Sequence, residues 1–118
     1  MAKHADPISS HVLDTSTGLP ASGITITFEK LDRTRNEWIF VTQQKANQDG
    51  RASGFLTWQQ IQPMIYRMRF GIQDYFGAKN IETFYPYAEV VFEIKDPTAH
   101  YHIPLLLSPF GYSTYRGS

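Results

Sequence analysis

Histidine supplies most of the reactive chemistry open to this chain. Four are present, His4, His11, His100 and His102, and cysteine is absent, which removes disulfides, thiolate nucleophiles and thiolate metal sites. His100 and His102 stand two apart in "HYHIPLLLS" and so share one face of a strand. His11 lies between Ser10 and Val12 in "ISSHVLD". Two chemistries fit these residues. His11, His100 and His102 could bind zinc through three imidazoles with a fourth position open to water, or one or two of them could move a proton near neutral pH. No carboxylate stands at a spacing that would orient zinc ligands. A strand histidine is more often an ordinary hydrogen-bonded residue than either, and His4, near the start, is set aside.

Arginine and the end of the sequence complete the inventory. Asp49-Gly50 is a tight-turn signal that puts Arg51 at the first position after a reversal, although a turn arginine alone is ordinarily just solvated. The last residues, "SPFGYSTYRGS", combine aromatic, cationic and hydroxyl groups where chains usually fray. Phosphate-binding glycine loops, nucleophile elbows and paired carboxylates are absent.

Strands must position these groups, because alternation with period two runs through the chain. In "ITITFEKL", Ile24, Ile26 and Phe28 oppose Thr25, Thr27 and Glu29; in "MIYRMRFGI", Met64, Tyr66, Met68, Phe70 and Ile72 oppose Arg67 and Arg69. "AEVVFEIK" sets Ala88, Val90, Phe92 and Ile94 against Glu89, Glu93 and Lys95. "ISSHVLD", "EWIFVTQ", "HYHIPLLLS" and "GYSTYRG" are further strands by their β-branched and aromatic content, with a short one after Gly50. Breaks fall at Thr17-Gly18-Leu19-Pro20 and Ser108-Pro109-Phe110-Gly111. Some eight strands with regular turns predict a β-sandwich. One short helix is expected within "QDYFGAKNIE", capped by Asp74, and "TWQQ" at Thr57 has the form of a capping box.

At 118 residues the chain is one domain by size, with residues 1–7 expected to form a mobile arm ahead of a domain over 8–118. Eleven basic residues balance eleven acidic ones, so no general attraction to nucleic acid or anionic membrane is expected. No apolar run has the length of a signal peptide core or a membrane span. The expected setting is soluble and intracellular, not secreted.

Two stretches go further: "SSHVLDTSTGLPASGI" and "LLLSPFGYSTYRGS" resemble the transthyretin-like family, in its 5-hydroxyisourate hydrolase branch. "NQDGRASG" resembles that family's arginine-bearing turn, and "IYRMRFGIQDYFGAKNIETFYPYAEVVFEI" its strand, helix, strand unit, so the resemblance covers residues 8–118. Hormone-carrying transthyretins share the "SPF" and "YST" run but end differently; the hydrolases end in Tyr-Arg-Gly-Ser, here Tyr115-Arg116-Gly117-Ser118. The resemblance implies an all-β, transthyretin-like sandwich of two four-stranded sheets with one short helix. It implies a homotetramer, a dimer of dimers with two clefts in a central channel. It also implies metal-independent hydrolysis of 5-hydroxyisourate, without a cofactor, in urate degradation. By the family pattern His11, His102 and Ser118 are catalytic, Ser118 offering a hydroxyl and, as the last residue, an expected free carboxylate. Arg51, Tyr115 and Arg116 would bind substrate, and His100 is assigned a structural role. The alternative is a carrier of a small aromatic ligand in the same channel, since a fold alone does not choose a function.

Overall fold

Two twisted sheets face each other across an apolar core in the computed structural model, which describes residues 4–118. The strands are β1 (Ile8–Asp14), β2 (Leu19–Pro20), β3 (Thr25–Asp32), β4 (Glu37–Lys45), β5 (Arg51–Ala52), β6 (Met64–Phe70), β7 (Ala88–Ile94), β8 (Tyr101–Ser108) and β9 (Gly111–Thr114), with one helix, α1 (Ile72–Gly77). One sheet runs β4-β3-β6-β7, and the other runs β2-β1-β8-β9 with β5 also paired to β1.

Two expectations need correction. The second sheet has five strands, not four, because two-residue segments return to β1. Leu13 pairs with Pro20 across the turn at Gly18, and Ser10 pairs with Ala52, so the break at residues 17–20 is itself a hairpin. The helix is not capped by Asp74: Gly71 is its N-cap, with no side-chain bond, and Asp74 lies in the first turn. There its charge favours the positive end of the helix dipole instead. At Thr57 the side chain of Gln60 does reach back to the Thr57 amide at 2.9 Å, but Pro63 follows closely and no helix is built on that turn. The expected mobility of residues 1–7 falls partly on 1–3, which lie outside the described residues.

The alternation read from the sequence is the core. Ile8 and Val12 of β1, Ile26 and Phe28 of β3, Tyr66, Met68 and Phe70 of β6 and Leu105 and Leu107 of β8 are all buried. Phe28 stacks on Tyr66 with ring centroids 5.1 Å apart. Each such side chain contributes about 1.5–3 kcal/mol by leaving water. Arg67 and Arg69 lie on the opposite face of β6. Arg67 binds Glu29 at 2.7 Å and Glu89 at 3.1 Å while its guanidinium lies 4.3 Å from the Trp38 ring centroid. Asp14, fully buried at the end of β1, accepts bonds from the Ser16 amide and hydroxyl and from Tyr75 of α1 at 3.1 Å. These bonds satisfy its charge and tie the helix to the sheet.

Candidate active site

The site begins with the central strand pair of the five-stranded sheet. β1 and β8 are parallel neighbours whose register sets Ser9 beside His102 and His11 beside Pro104; on the other side of β1, Arg51 lies opposite His11. Ile8, Ser10, Val12 and Asp14 turn inward, so by the two-residue period Ser9 and His11 turn outward.

The turn that delivers Arg51 depends on two residues. Asn47 accepts through its side-chain oxygen from the amides of Asp49 and Arg51 at 2.9 and 3.0 Å. Gly50 has φ +75°, and a Cβ there would lie 2.4 Å from the Val12 carbonyl, so only glycine allows this turn so close to β1. The Val12 amide then donates to the Gly50 carbonyl at 2.8 Å. The same turn aims the Asp49 carbonyl at His11 Nε2, 3.0 Å away. A carbonyl only accepts, so Nε2 of His11 carries a proton.

The end of the chain folds back onto β8. After β9 the pairing lapses at Tyr115 and Arg116, then resumes as a single bridge between Gly117 and His102, whose carbonyl accepts from the Gly117 amide at 2.8 Å. A Cβ on Gly117 would stand 2.6 Å from His102 Cδ2 and 3.2 Å from Pro104 Cγ. Glycine therefore lets the backbone lie directly on the imidazole. Arg116 holds the tail from outside the cleft, its guanidinium 4.4 Å from the Tyr101 ring centroid.

These elements enclose a cleft of about 430 Å³ lined by Ser9, Asn47, Arg51, His100, His102 and Ser118, with His4 and Asp6 also in its walls. Three of the expected site residues, Arg51, His102 and Ser118, meet there. His11 is not among the lining residues; nor are Arg116 and Tyr115, which is 58% exposed. A larger groove of about 630 Å³ between Lys30, Ile39, Met64 and Glu93 contains no histidine and no member of the expected site.

Ser9 and His4 were missed by sequence reasoning. The Ser9 hydroxyl lies 2.7 Å from His102 Nδ1 and 3.2 Å from His100 Nε2, bridging the two imidazoles. His4 stacks on His100 at a centroid distance of 3.8 Å, and its carbonyl accepts from Trp58 Nε1 at 2.8 Å. The one signal for Ser9 was its place two residues before His11; nothing in the sequence marked His4.

Burial is the first cause that lowers the His102 pKa below the ordinary 6.5, followed by the charges of His100, His11, Arg51 and His4. His100 is lowered as well, by burial and then by His4, against the opposite pull of Asp6 and the Ser118 main-chain oxygen. Both rings are therefore held toward neutral imidazole, the form that can accept a proton. Among the described residues no three histidine, aspartate or glutamate side chains gather as a metal-binding group.

Known proteins share both the sequence and the fold. The mouse (Mus musculus) protein named 5-hydroxyisourate hydrolase is 44% identical over 118 residues, covering all of both chains. A solved 5-hydroxyisourate hydrolase from Klebsiella pneumoniae superposes with a TM-score of 0.82 at 30% identity, over 96% of this chain and 99% of that one. Sea bream transthyretin in complex with thyroxine superposes with a TM-score of 0.88 at 28% identity, over 94% of each chain. The model of the HIUase/Transthyretin family matches residues 8–117, and the chain belongs to that family.

Proposed function

We propose that this chain hydrolyses 5-hydroxyisourate to 2-oxo-4-hydroxy-4-carboxy-5-ureidoimidazoline, a step of urate degradation. The observation that carries this reading is the convergence of Arg51, His102 and Ser118, distant in sequence, on one polar cleft. The hydrolases among its relatives support it. Hydrolysis requires water to lose a proton as it attacks an imide-like ring carbonyl, and neutral imidazole has the matching basicity. His102 takes this role, since its Nδ1 is on Ser9 and its Nε2 is left for water. The proton that His102 takes from water passes to the departing ring nitrogen. His11, outside the cleft lining and with Nε2 committed to the Asp49 carbonyl, has an unprotonated Nδ1 that can only accept and so serves to orient the water.

Arg51 offers a planar fork to the carbonyl oxygens of the substrate and to the oxyanion that forms on attack. Ser118, held by Gly117 on β8, contributes its hydroxyl or a main-chain oxygen. Tyr115 and Arg116 complete the substrate contacts in the assembled oligomer, for which we take a homotetramer built as a dimer of dimers. The chemistry uses no metal and no cofactor. We place it in the cytoplasm or the peroxisome.

The same fold would suit a carrier, as in the thyroxine-bound sea bream protein. Three histidines, four serines and an arginine in the cleft wall favour the hydrolytic reading over an apolar aromatic ligand. The test generates 5-hydroxyisourate from urate with urate oxidase and follows its ultraviolet decay with the protein, with His102→Ala and without protein. Acceleration by the wild type that chelators leave intact and His102→Ala loses is the expected result. Decay at the spontaneous rate would overturn it.

A further inference from the structure

The segment that leads into β1 is attached at both ends. The Pro7 carbonyl accepts from the Tyr101 amide at 2.8 Å, next to the pairing of Ile8 with Tyr101. Three residues earlier the His4 carbonyl accepts from Trp58 Nε1 at 2.8 Å, and the His4 ring lies on His100 with centroids 3.8 Å apart and 18° between the planes. Asp6 stands between these attachments, half-buried, and lines the cleft together with His4 and Ala5. Its neighbours place the segment; the Asp6 carboxylate has no part in doing so.

That carboxylate is unused. Asp14, Asp32 and Asp96 accept bonds from Ser16, Thr34 and Thr98 within their own turns, whereas Asp6 accepts none among the described residues. Arg51 is in a similar condition, since its amide bonds to Asn47 while its guanidinium donates to no described residue. The ion pairs of the described residues join Arg67 to Glu29 and Glu89, Arg69 to Glu89 and Lys79 to Asp14. A carboxylate and a guanidinium thus share one cleft of about 430 Å³ without pairing. A half-buried carboxylate has lost hydration and gained no partner, a deficit that a ligand's donor would make good. Arg51 can only donate and an ionised Asp6 can only accept, so a ligand that satisfies both must carry acceptors and donors on one frame. 5-Hydroxyisourate does, with ring N–H groups between its carbonyls.

We propose that Asp6 is a substrate-contacting residue, accepting a hydrogen bond from a ring N–H of 5-hydroxyisourate while Arg51 donates to its carbonyl oxygens. The role rests on the hydrolytic reading. A bond to an N–H that takes no part in the reaction is equally strong before and during attack, so it acts on KM and not on kcat. It also selects among ligands: a ring that offered carbonyls alone would satisfy Arg51 and leave Asp6 unpaired.

The test is steady-state kinetics on 5-hydroxyisourate generated from urate, with the full-length wild type, Asp6→Ala and Asp6→Asn. Asp6→Ala should raise KM about 10-fold or more, the scale of one hydrogen bond to a charged group, with kcat unchanged. Asp6→Asn keeps an acceptor oxygen without the charge and should fall between the two. Both variants should retain the wild-type tryptophan emission, because Trp58 holds the segment through His4 and not through Asp6. An unchanged KM in both variants would overturn the proposal and leave the hydrolytic reading standing. A raised KM accompanied by altered tryptophan emission would also overturn it, making Asp6 an anchor of the segment instead of a substrate contact. Wild-type protein that fails to accelerate the decay would overturn the hydrolytic reading itself, and the role of Asp6 with it.

Discussion

His102 is where burial, charge and geometry meet, and its environment fixes a pH dependence. Because its folded pKa lies below 6.5, the neutral base persists to lower pH than a free histidine would allow. The acid limb of kcat/KM, which reports the free enzyme, should fall below pH 6.5; a limb at or above that value contradicts the assignment. The same depression means that the unfolded chain binds more protons than the folded one between the folded pKa and 6.5. The His102 contribution to stability is thus full above about pH 6.5 and is lost as the pH falls toward the folded value. Gly117 gives a second prediction at this scale. In Gly117→Ala the new Cβ would lie 2.6 Å from His102 Cδ2, so ring and tail must part by about an ångström. A displacement of that size costs on the order of 100-fold in rate, and circular dichroism should show the sandwich unchanged. Activity within a few-fold of wild type would mean that the tail does not position the ring.

The short strand β5 depends on its turn more than on its own residues. Arg51 and Ala52 make only two pairings with β1, so the Asn47–Gly50 turn determines where the guanidinium lies. Gly50→Ala forces a left-handed residue against the Val12 carbonyl. It should cost about 3 kcal/mol by chemical denaturation and should also raise KM through Arg51. A loss below about 1 kcal/mol would show that the turn can move away from β1. The outer face of the four-stranded sheet illustrates a different dependence: Arg67, which the alternation sets opposite the apolar face of its strand, has only 13% of its side chain exposed and lies between two glutamates. Its planar fork and its stacking on Trp38 make lysine a poor substitute.

Association belongs to the whole molecule. β7 and β9 each end a sheet, leaving an edge that pairs with no other strand among the described residues. Beside β9, Phe84 and Phe110 are 68% and 64% exposed and join Tyr85 and Tyr112 in one aromatic cluster through ring contacts of 4.9, 6.5 and 5.2 Å. Open edges and a contiguous aromatic surface are costly to leave in water. Sedimentation equilibrium should return about four times the 13.5 kDa chain mass, and Phe110→Glu should lower it. A wild-type monomer at micromolar concentration would contradict the tetramer and the completion of the cleft by neighbouring subunits.

Alternation by itself determined the layered fold. The inward faces of "ITITFEKL" and "MIYRMRFGI" are buried as the period of two requires, because a side chain's face depends only on local backbone geometry. The Asp-Gly turn before Arg51 was legible for the same reason, as a local conformational demand, whereas Gly117 was read only through the resemblance of the terminal tetrapeptide, its need being a close approach to His102. Pairing between distant strands was not. Ser9 meets His102 because β1 and β8 happen to be parallel in one particular register, and shifting that register by one residue would turn Ser9 away. The stacking of His4 on His100 likewise joins residues 96 positions apart. The sequence named most of the reactive groups, but which of them share a cleft, and which nitrogen of His102 is left free, is decided by contacts that exist only once the sheets have closed.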